Sequence, residues 1–143
     1  TSEIPAETAR RKQLAVLESI KKNPDLKLDR RDRTLLASYA SEEDLLFDRD
    51  QQMGNITALI NDTRNRQETM QNHLTELSDN ADEYQRNNEK MPDKLLRQMK
   101  DLIRDIEKTD ALLQEQRSNK LELEQKFAAD ITRYRELLAS HQP

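Results

Sequence analysis

Apolar residues recur through the middle of the chain in steps of three and four positions, which is the spacing of the contact face of a coiled-coil helix. The steps are interrupted only at Arg49. This first seam consists of Leu46, Met53, Ile56, Ile60, Thr63, Gln67, Met70, Leu74, Leu77, Ala81 and Tyr84. The pattern predicts one long helix over about residues 42–86.

A second seam with the same steps follows a polar stretch. The stretch from Gln85 to Lys90 has no seam residue, and Pro92 stands where the next helix begins, a position that favours proline. The second seam consists of Leu95, Met99, Leu102, Ile106, Thr109, Leu113, Gln116, Lys120, Leu123 and Phe127, followed after a shift of one position by Ile131, Tyr134 and Leu138. We therefore expect a turn at about residues 87–91 and a returning helix over about 92–140.

The two seams match when the chain is folded back at the turn. Apolar residues then face each other, as in the pair Leu77 and Leu102. This agreement favours a long antiparallel two-helix coiled-coil hairpin over one continuous rod. The middle of the seam is polar, with Thr63 opposite Gln116, so we expect this stretch to be the least stable and to help fix the register.

Two shorter helices are predicted before the hairpin. The first spans Pro5–Lys22 and is ended by Asn23-Pro24-Asp25. The second spans about Asp29 to Ala40. Ser41 then opens a sequence typical of a helix N-terminus, although a kink within one continuous helix fits the same residues.

These short helices are expected to form a base. A two-helix hairpin buries little apolar surface by itself, so residues 1–41 should pack at the open end of a hairpin formed by residues 42–143. Apolar and aromatic side chains gather at that end and are the candidate interaction surface. They are Leu35, Tyr39, Phe47, Tyr134 and Leu138.

Composition agrees with a thin apolar seam. Of the 143 residues, 34% are hydrophobic, 36% are charged and 3% are aromatic, which is too little apolar material for a thick globular core. A single Gly and four Pro argue against disorder. The net charge of −4 does not resemble the basic surface of a nucleic-acid-binding protein, and no apolar run approaches the ~20 residues of a membrane span.

The sequence contains no arrangement of residues that suggests catalysis. One glycine excludes a phosphate-binding glycine loop, and the absence of Cys excludes thiolate metal sites. The two histidines, His73 and His141, are expected to lie far apart. A helix spreads a group of carboxylates around its cylinder, so we expect a solvated face rather than a cation site for Glu42, Glu43, Asp44, Asp48 and Asp50. The prediction is a protein that is not an enzyme and has no cofactor.

Three stretches resemble a family of uncharacterised Gram-negative periplasmic coiled-coil proteins of unknown function. They are Asp32–Asp44 followed by Asp48-Arg49-Asp50, then Met91–Leu96, and finally Phe127–Leu137. In that family a similar "RD..LL..Y.SEED" stretch precedes a helical hairpin whose return helix begins with proline. Its members usually have an export signal, so the resemblance implies a periplasmic location, but it transfers no functional residues. Thr1 fits either a mature chain without its signal peptide or a trimmed chain.

The leading hypothesis is a non-catalytic scaffold or protein-interaction module of the cell envelope. Its partner would be an unknown protein or a second copy of the chain, recognised helix on helix. The alternative is a cytoplasmic export chaperone or assembly factor of the secretion type, which an upstream signal peptide would exclude. A hairpin that probes a polymerase channel with an acidic tip is disfavoured, because the tip has one acid, Glu89, between the bases Arg86 and Lys90.

Overall fold

The described part of the chain is all-α. The structure, a computed structural model, describes residues 5–22 and 28–140. These residues form four helices and no strand: α1 (Pro5–Lys22), α2 (Arg30–Ser38), α3 (Glu42–Arg86) and α4 (Asp93–Ala139). Helix α3 packs against α4. The prediction of an all-α chain with two long helices that pack together is confirmed.

The boundaries of α2 follow from local hydrogen bonds. Asp29 caps the helix, because its side chain accepts a hydrogen bond of 2.7 Å from the backbone N–H of Asp32. The helix ends at Tyr39, whose backbone is extended. The predicted break at Asn23-Pro24-Asp25 lies outside the described residues.

Helix α3 starts as a new helix rather than as a kinked continuation of α2. The side-chain oxygen of Ser41 accepts a hydrogen bond of 3.1 Å from the backbone N–H of Asp44, and the Ser41 carbonyl accepts one of 3.3 Å from Leu45. These are the bonds of a serine N-cap. Of the two alternatives that the sequence left open at Ser41, the helix start is therefore correct.

The C-terminus of α3 closes with a Schellman motif. Asn88 has a positive φ of 53°, a conformation that asparagine tolerates better than most residues. The Glu89 N–H donates to the Tyr84 carbonyl at 2.9 Å, and the Asn88 N–H donates to the Gln85 carbonyl at 3.2 Å. The carbonyl of Pro92 then accepts the first backbone bonds of α4. The polar stretch between the seams is thus a turn, at the predicted place.

The predicted seam residues are the residues that the fold buries. Every member of the first seam and every member of the second is buried or half-buried. Among the least exposed are Thr63 at 0% and Leu113 at 4%. The three- and four-residue steps therefore mark the faces of α3 and α4 that pack.

By internal contacts the chain forms two compact units. Unit 1 comprises Thr1–Met53 and Glu122–Pro143, and unit 2 comprises Gly54–Leu121. The predicted domain boundary at residue 41 follows chain order instead, and it stays a prediction.

The core of unit 1 takes side chains from all four helices. Burying each large apolar side chain contributes about 1.5–3 kcal/mol. The core residues are Leu17 and Ile20 of α1, Leu35 and Leu36 of α2, Leu45 of α3, and Phe127, Ile131, Tyr134, Leu137 and Leu138 of α4. Unit 1 is therefore a small four-helix cluster with a continuous apolar core.

The interior of unit 2 is mixed. Ile60, Ala81, Leu95 and Leu113 are buried there, but so are polar residues. The hydroxyl of Thr63 donates to the Leu59 carbonyl at 3.0 Å, and the hydroxyl of Thr109 donates to the Asp105 carbonyl at 2.7 Å. The side-chain oxygen of Gln116 is buried without a hydrogen-bond partner. The polar middle predicted from the sequence is thus present and is only partly satisfied.

Candidate interaction site

An ion pair between buried Asp32 and partly exposed Arg133 orients α2 on α4 in unit 1. Asp32 is 2% exposed, and its two oxygens accept hydrogen bonds from Arg133 at 2.7 and 2.8 Å. The hydrogen bonds from Arg133 hold the pKa of Asp32 below its ordinary value of 3.8, although burial acts in the opposite direction. A two-point contact of this kind is directional. It therefore fixes the rotation of α2 as well as its position.

Tyr39 joins three elements at the end of α2. Its carbonyl accepts a hydrogen bond of 3.0 Å from the hydroxyl of Tyr134, a residue that is fully buried. Its own hydroxyl donates to Asp48 at 2.5 Å, and Gln52 donates to the other oxygen of Asp48 at 2.9 Å. Burial raises the pKa of both tyrosine hydroxyls to about 12, so both stay protonated donors at neutral pH. The hydrogen bond from Gln52, followed by that from Tyr39, lowers the pKa of Asp48.

The first turn of α3 is held by side chains from α1 and α4. Arg135 forms an ion pair with Glu42, whose backbone N–H donates to the side chain of Gln13 at 3.3 Å. Arg10 lies 3.8 Å from Asp44. The predicted solvated carboxylate face is therefore wrong for Glu42, Asp44 and Asp48. Each of these acids is half-buried and has a partner in unit 1, which the helix pattern alone did not indicate.

The five residues of the candidate interaction surface lie in different environments. Leu35, Tyr134 and Leu138 are in the core of unit 1. Tyr39 is half-buried, and Phe47 is 66% exposed. Of the five, Phe47 is the side chain that offers a large accessible apolar area to a partner. Whether any of them contacts a partner stays a prediction.

Phe47 stands among acidic side chains. Residues three and four positions away on a helix share its face, and for Phe47 these include Glu43, Asp44 and Asp50. Asp50 pairs with Arg49 at 3.0 Å, and Asp44 pairs with Arg10, whereas no ion pair of the described residues includes Glu43. We call Phe47 and its three acidic neighbours the Phe47 patch.

A groove of about 580 Å³ runs between α2 and α4 in unit 1. Leu35 and Tyr39 form its apolar part, while its basic residues are Arg30, Arg31 and Lys126. Arg31 is paired with Asp130 at 3.3 Å, which leaves Arg30 and Lys126 outside the ion pairs of the described chain. We call this site the α2–α4 groove. Sequence reasoning missed it, because the basic residues of α2 and Lys126 are far apart in the chain.

Unit 2 has a polar groove of about 590 Å³. Its lining includes Arg64 and Arg117, one from each long helix, together with Gln67 and Leu113. Its charges are mixed, because Glu68 and Asp110 also line it. His73 is exposed on α3, and His141 lies outside the described residues.

No group of three or more potential metal ligands lies together in the described ranges. Within the same ranges, no helix combines the length and the apolar composition that a membrane crossing needs.

Comparison of the chain with protein-family models, with curated proteins and with solved structures found no match. The resemblance to Gram-negative periplasmic coiled-coil proteins therefore stays a hypothesis, and the function has to be argued from the geometry of the chain.

Proposed function

We propose that the chain is a non-catalytic scaffold or protein-interaction module of the bacterial cell envelope. The observation that supports this most directly is the exposure of Phe47, 66% accessible on a unit whose other aromatic side chains are fully buried, as for Phe127 and Tyr134, or half-buried, as for Tyr39. Exposed aromatic residues on a well-packed support are typical anchors of protein interfaces. The ion pair of Asp32 with Arg133 keeps that support in one arrangement.

The long helices in this proposal form an antiparallel coiled-coil hairpin. Three observations support it: the burial of both seams, the tight turn after α3, and the groove of unit 2 that combines Gln67 with Leu113 and Arg64 with Arg117. In a hairpin folded at the turn, each of these pairs lies at one level.

Disulfide cross-linking tests the hairpin cleanly, because the chain has no cysteine of its own. Leu77→Cys combined with Leu102→Cys should oxidise readily within one chain, because facing seam residues approach to the ~4–7 Å between Cα atoms that a disulfide needs. Leu77→Cys with Leu113→Cys is the control and should not, since the offset of 11 residues is roughly 16 Å of helix. Equal oxidation of both pairs would contradict the hairpin.

Site-specific photo-cross-linking tests the interaction role. A photoreactive phenylalanine analogue placed at Phe47 of the natural protein in its host should give one or a few discrete adducts. The control is the same analogue at Leu121, an exposed apolar residue of unit 2 at 55% accessibility. A ladder of weak adducts equal at the two positions would argue against an interaction site at Phe47.

Cell fractionation in the same experiment tests the location. The periplasmic assignment is supported by the family resemblance alone, and recovery of the protein with periplasmic markers is the expected result. Recovery in the cytoplasm, with an adduct to an exported protein, would favour the export-chaperone hypothesis instead.

A further inference from the structure

We infer that the α2–α4 groove binds Phe47 of a second copy of this chain. The second copy binds Phe47 of the first in the same way, which forms a symmetric dimer. This inference rests on the proposed interaction function and names the partner of the same site. The two halves of the contact, the patch and the groove, are both present in unit 1.

The Phe47 patch offers an apolar group beside three acids, of which Asp44 and Asp50 are paired with arginines. Phe47 is the most exposed of the large hydrophobic side chains in the described chain. Glu43 lies one helical turn before it and forms no ion pair there, while Asp50 is 68% exposed and has its neighbour Arg49 as partner. A partner surface that buries Phe47 and covers Glu43 therefore needs a cation for that carboxylate, because a desolvated carboxylate needs a compensating charge.

The α2–α4 groove offers the complementary arrangement. Its apolar lining is the half-buried side chain of Tyr39 and the 5% of Leu35 that stays accessible, and the volume of about 580 Å³ is within the range of sites that bury a compact group. Arg30 supplies positive charge and belongs to no ion pair of the described residues. Lys126 adds a second cation, which lies 5.3 Å from the centre of the Phe127 ring and close enough to Asp48 to lower the pKa of that carboxyl. Asp130, the carboxylate of the groove lining, is already bonded to Arg31.

Charge selects a second copy as the occupant. Patch and groove are opposite in sign, because Glu43 in the patch and Arg30 in the groove each lie outside the ion pairs of the described residues. Such complementarity steers association and excludes partners of the wrong sign. Every copy has both surfaces. In a dimer with a twofold axis, the groove of each copy can therefore bind the Phe47 patch of the other, so that the contact forms twice and no third copy can add.

Sedimentation velocity and light scattering on the purified chain give the first test. The wild-type chain should change from monomer mass to dimer mass as its concentration rises, and Phe47→Ala should raise the dimer Kd roughly tenfold or more, as expected for a central aromatic anchor. Leu121→Ala, which removes an exposed leucine of unit 2, should leave the Kd unchanged. Circular dichroism of each variant verifies that the helices are intact.

Charge exchange provides the second test. Glu43→Lys and Arg30→Glu should each weaken the dimer, and the double variant should recover it, because the opposite charges meet again across the interface. Arg33→Glu is the matched control, since Arg33 is exposed on the same helix and does not line the groove. Equal weakening by Arg33→Glu, or no recovery in the double variant, would contradict the pairing of patch and groove.

Cross-linking between chains locates the contact. A chain with Gln51→Cys, one turn after Phe47, is mixed with a chain with Ser38→Cys in the groove, and a disulfide between the two should form and should depend on Phe47. A dimer that persists in Phe47→Ala, a polymer that grows with concentration, or a wild-type chain that stays monomeric each overturns the inference. If the chain is monomeric but Phe47 still cross-links to another protein in the cell, the proposed function survives and the second copy is rejected.

Discussion

Tyr39 is bound on two sides, its carbonyl by Tyr134 and its hydroxyl by Asp48. This residue connects the end of α2 to α3 and α4, whereas the sequence predicted it as part of an apolar interaction surface. Asp32 has a similar role at the start of the same helix through Arg133. A helix of nine residues cannot be stable by itself, so these polar contacts and the burial of Leu36 determine where α2 lies.

Replacing Tyr134 by Phe should destabilise the chain by about 1 kcal/mol, because the variant keeps the buried ring but leaves the Tyr39 carbonyl without its donor. Tyr39→Phe is the matched control and should cost less, since Asp48 keeps its hydrogen bond from Gln52. Urea unfolding followed by circular dichroism measures both. A larger loss of unfolding free energy for Tyr39→Phe would mean that the hydrogen bond from Tyr39 to Asp48 contributes more than the one from Tyr134 to the Tyr39 carbonyl.

Lowering the pH should destabilise unit 1 by protonating Asp32. Because the pKa of this carboxyl is lower in the folded chain than its ordinary value of 3.8, the ionised form stabilises the fold above about pH 4, and this contribution is lost as the pH falls below that value. Asp32→Asn should therefore lower stability at pH 7 by about 1–2 kcal/mol, a figure reduced because Arg133 is partly exposed.

Asp32→Asn should also show a smaller fall in melting temperature between pH 7 and pH 3 than the wild-type chain. Asp50→Asn, at an exposed carboxylate, is the control and should retain the wild-type dependence. An unchanged pH dependence in Asp32→Asn would show that other groups determine acid stability.

At the scale of the elements, local sequence was a good guide to the helices. Proline at position 5, the serine cap at Ser41 and the turn closed by Asn88 each act within a few residues, so their effect is visible before any packing is known. The seam is equally local in origin, because its period reports only which face of a helix is apolar. The pattern did not determine which polar seam residues would find hydrogen-bond partners. The buried side-chain oxygen of Gln116 has none.

Gln116→Leu should stabilise unit 2 by about 1–2 kcal/mol, because it removes a buried polar oxygen that has no partner. Thr63→Val should be close to neutral, since the hydroxyl of Thr63 is satisfied by its own helix and its loss leaves the packing unchanged. Chemical denaturation measures both. A destabilised Gln116→Leu, or a change in its mass by light scattering, would indicate that Gln116 acts in fixing the register.

At the scale of the molecule, unit 1 combines the beginning and the end of the described chain, whereas unit 2 is continuous in sequence. A unit formed from distant segments depends on contacts that no local pattern encodes, such as Asp32 with Arg133 across 101 positions. A unit formed by two helices joined by a short turn depends mainly on its seams. This difference explains why the seam residues were predicted and the α2–α4 groove was not.

The packing of α3 against α4 can be tested with charges in the seam. Leu77→Asp and Leu102→Asp should each destabilise the chain by at least about 2 kcal/mol, because an aspartate there faces apolar surface. Glu68→Ala changes an exposed side chain and should have little effect. If the melting temperatures of all three variants equal that of the wild-type chain, the seam does not hold the helices together.

The sequence alone predicted the helices, most of their ends and the faces that become buried, because helix propensity, capping and apolar periodicity act over a few residues and need no knowledge of the fold. It left open whether a new helix starts at Ser41. The tertiary structure decided which acids of α3 are paired and which are solvated, and that Leu35 and Tyr134 are core while Phe47 is surface. It also decided that Arg30 and Lys126 line one groove. These outcomes depend on the rotation of four helices about their axes, which is set by packing and by ion pairs between residues far apart in the chain.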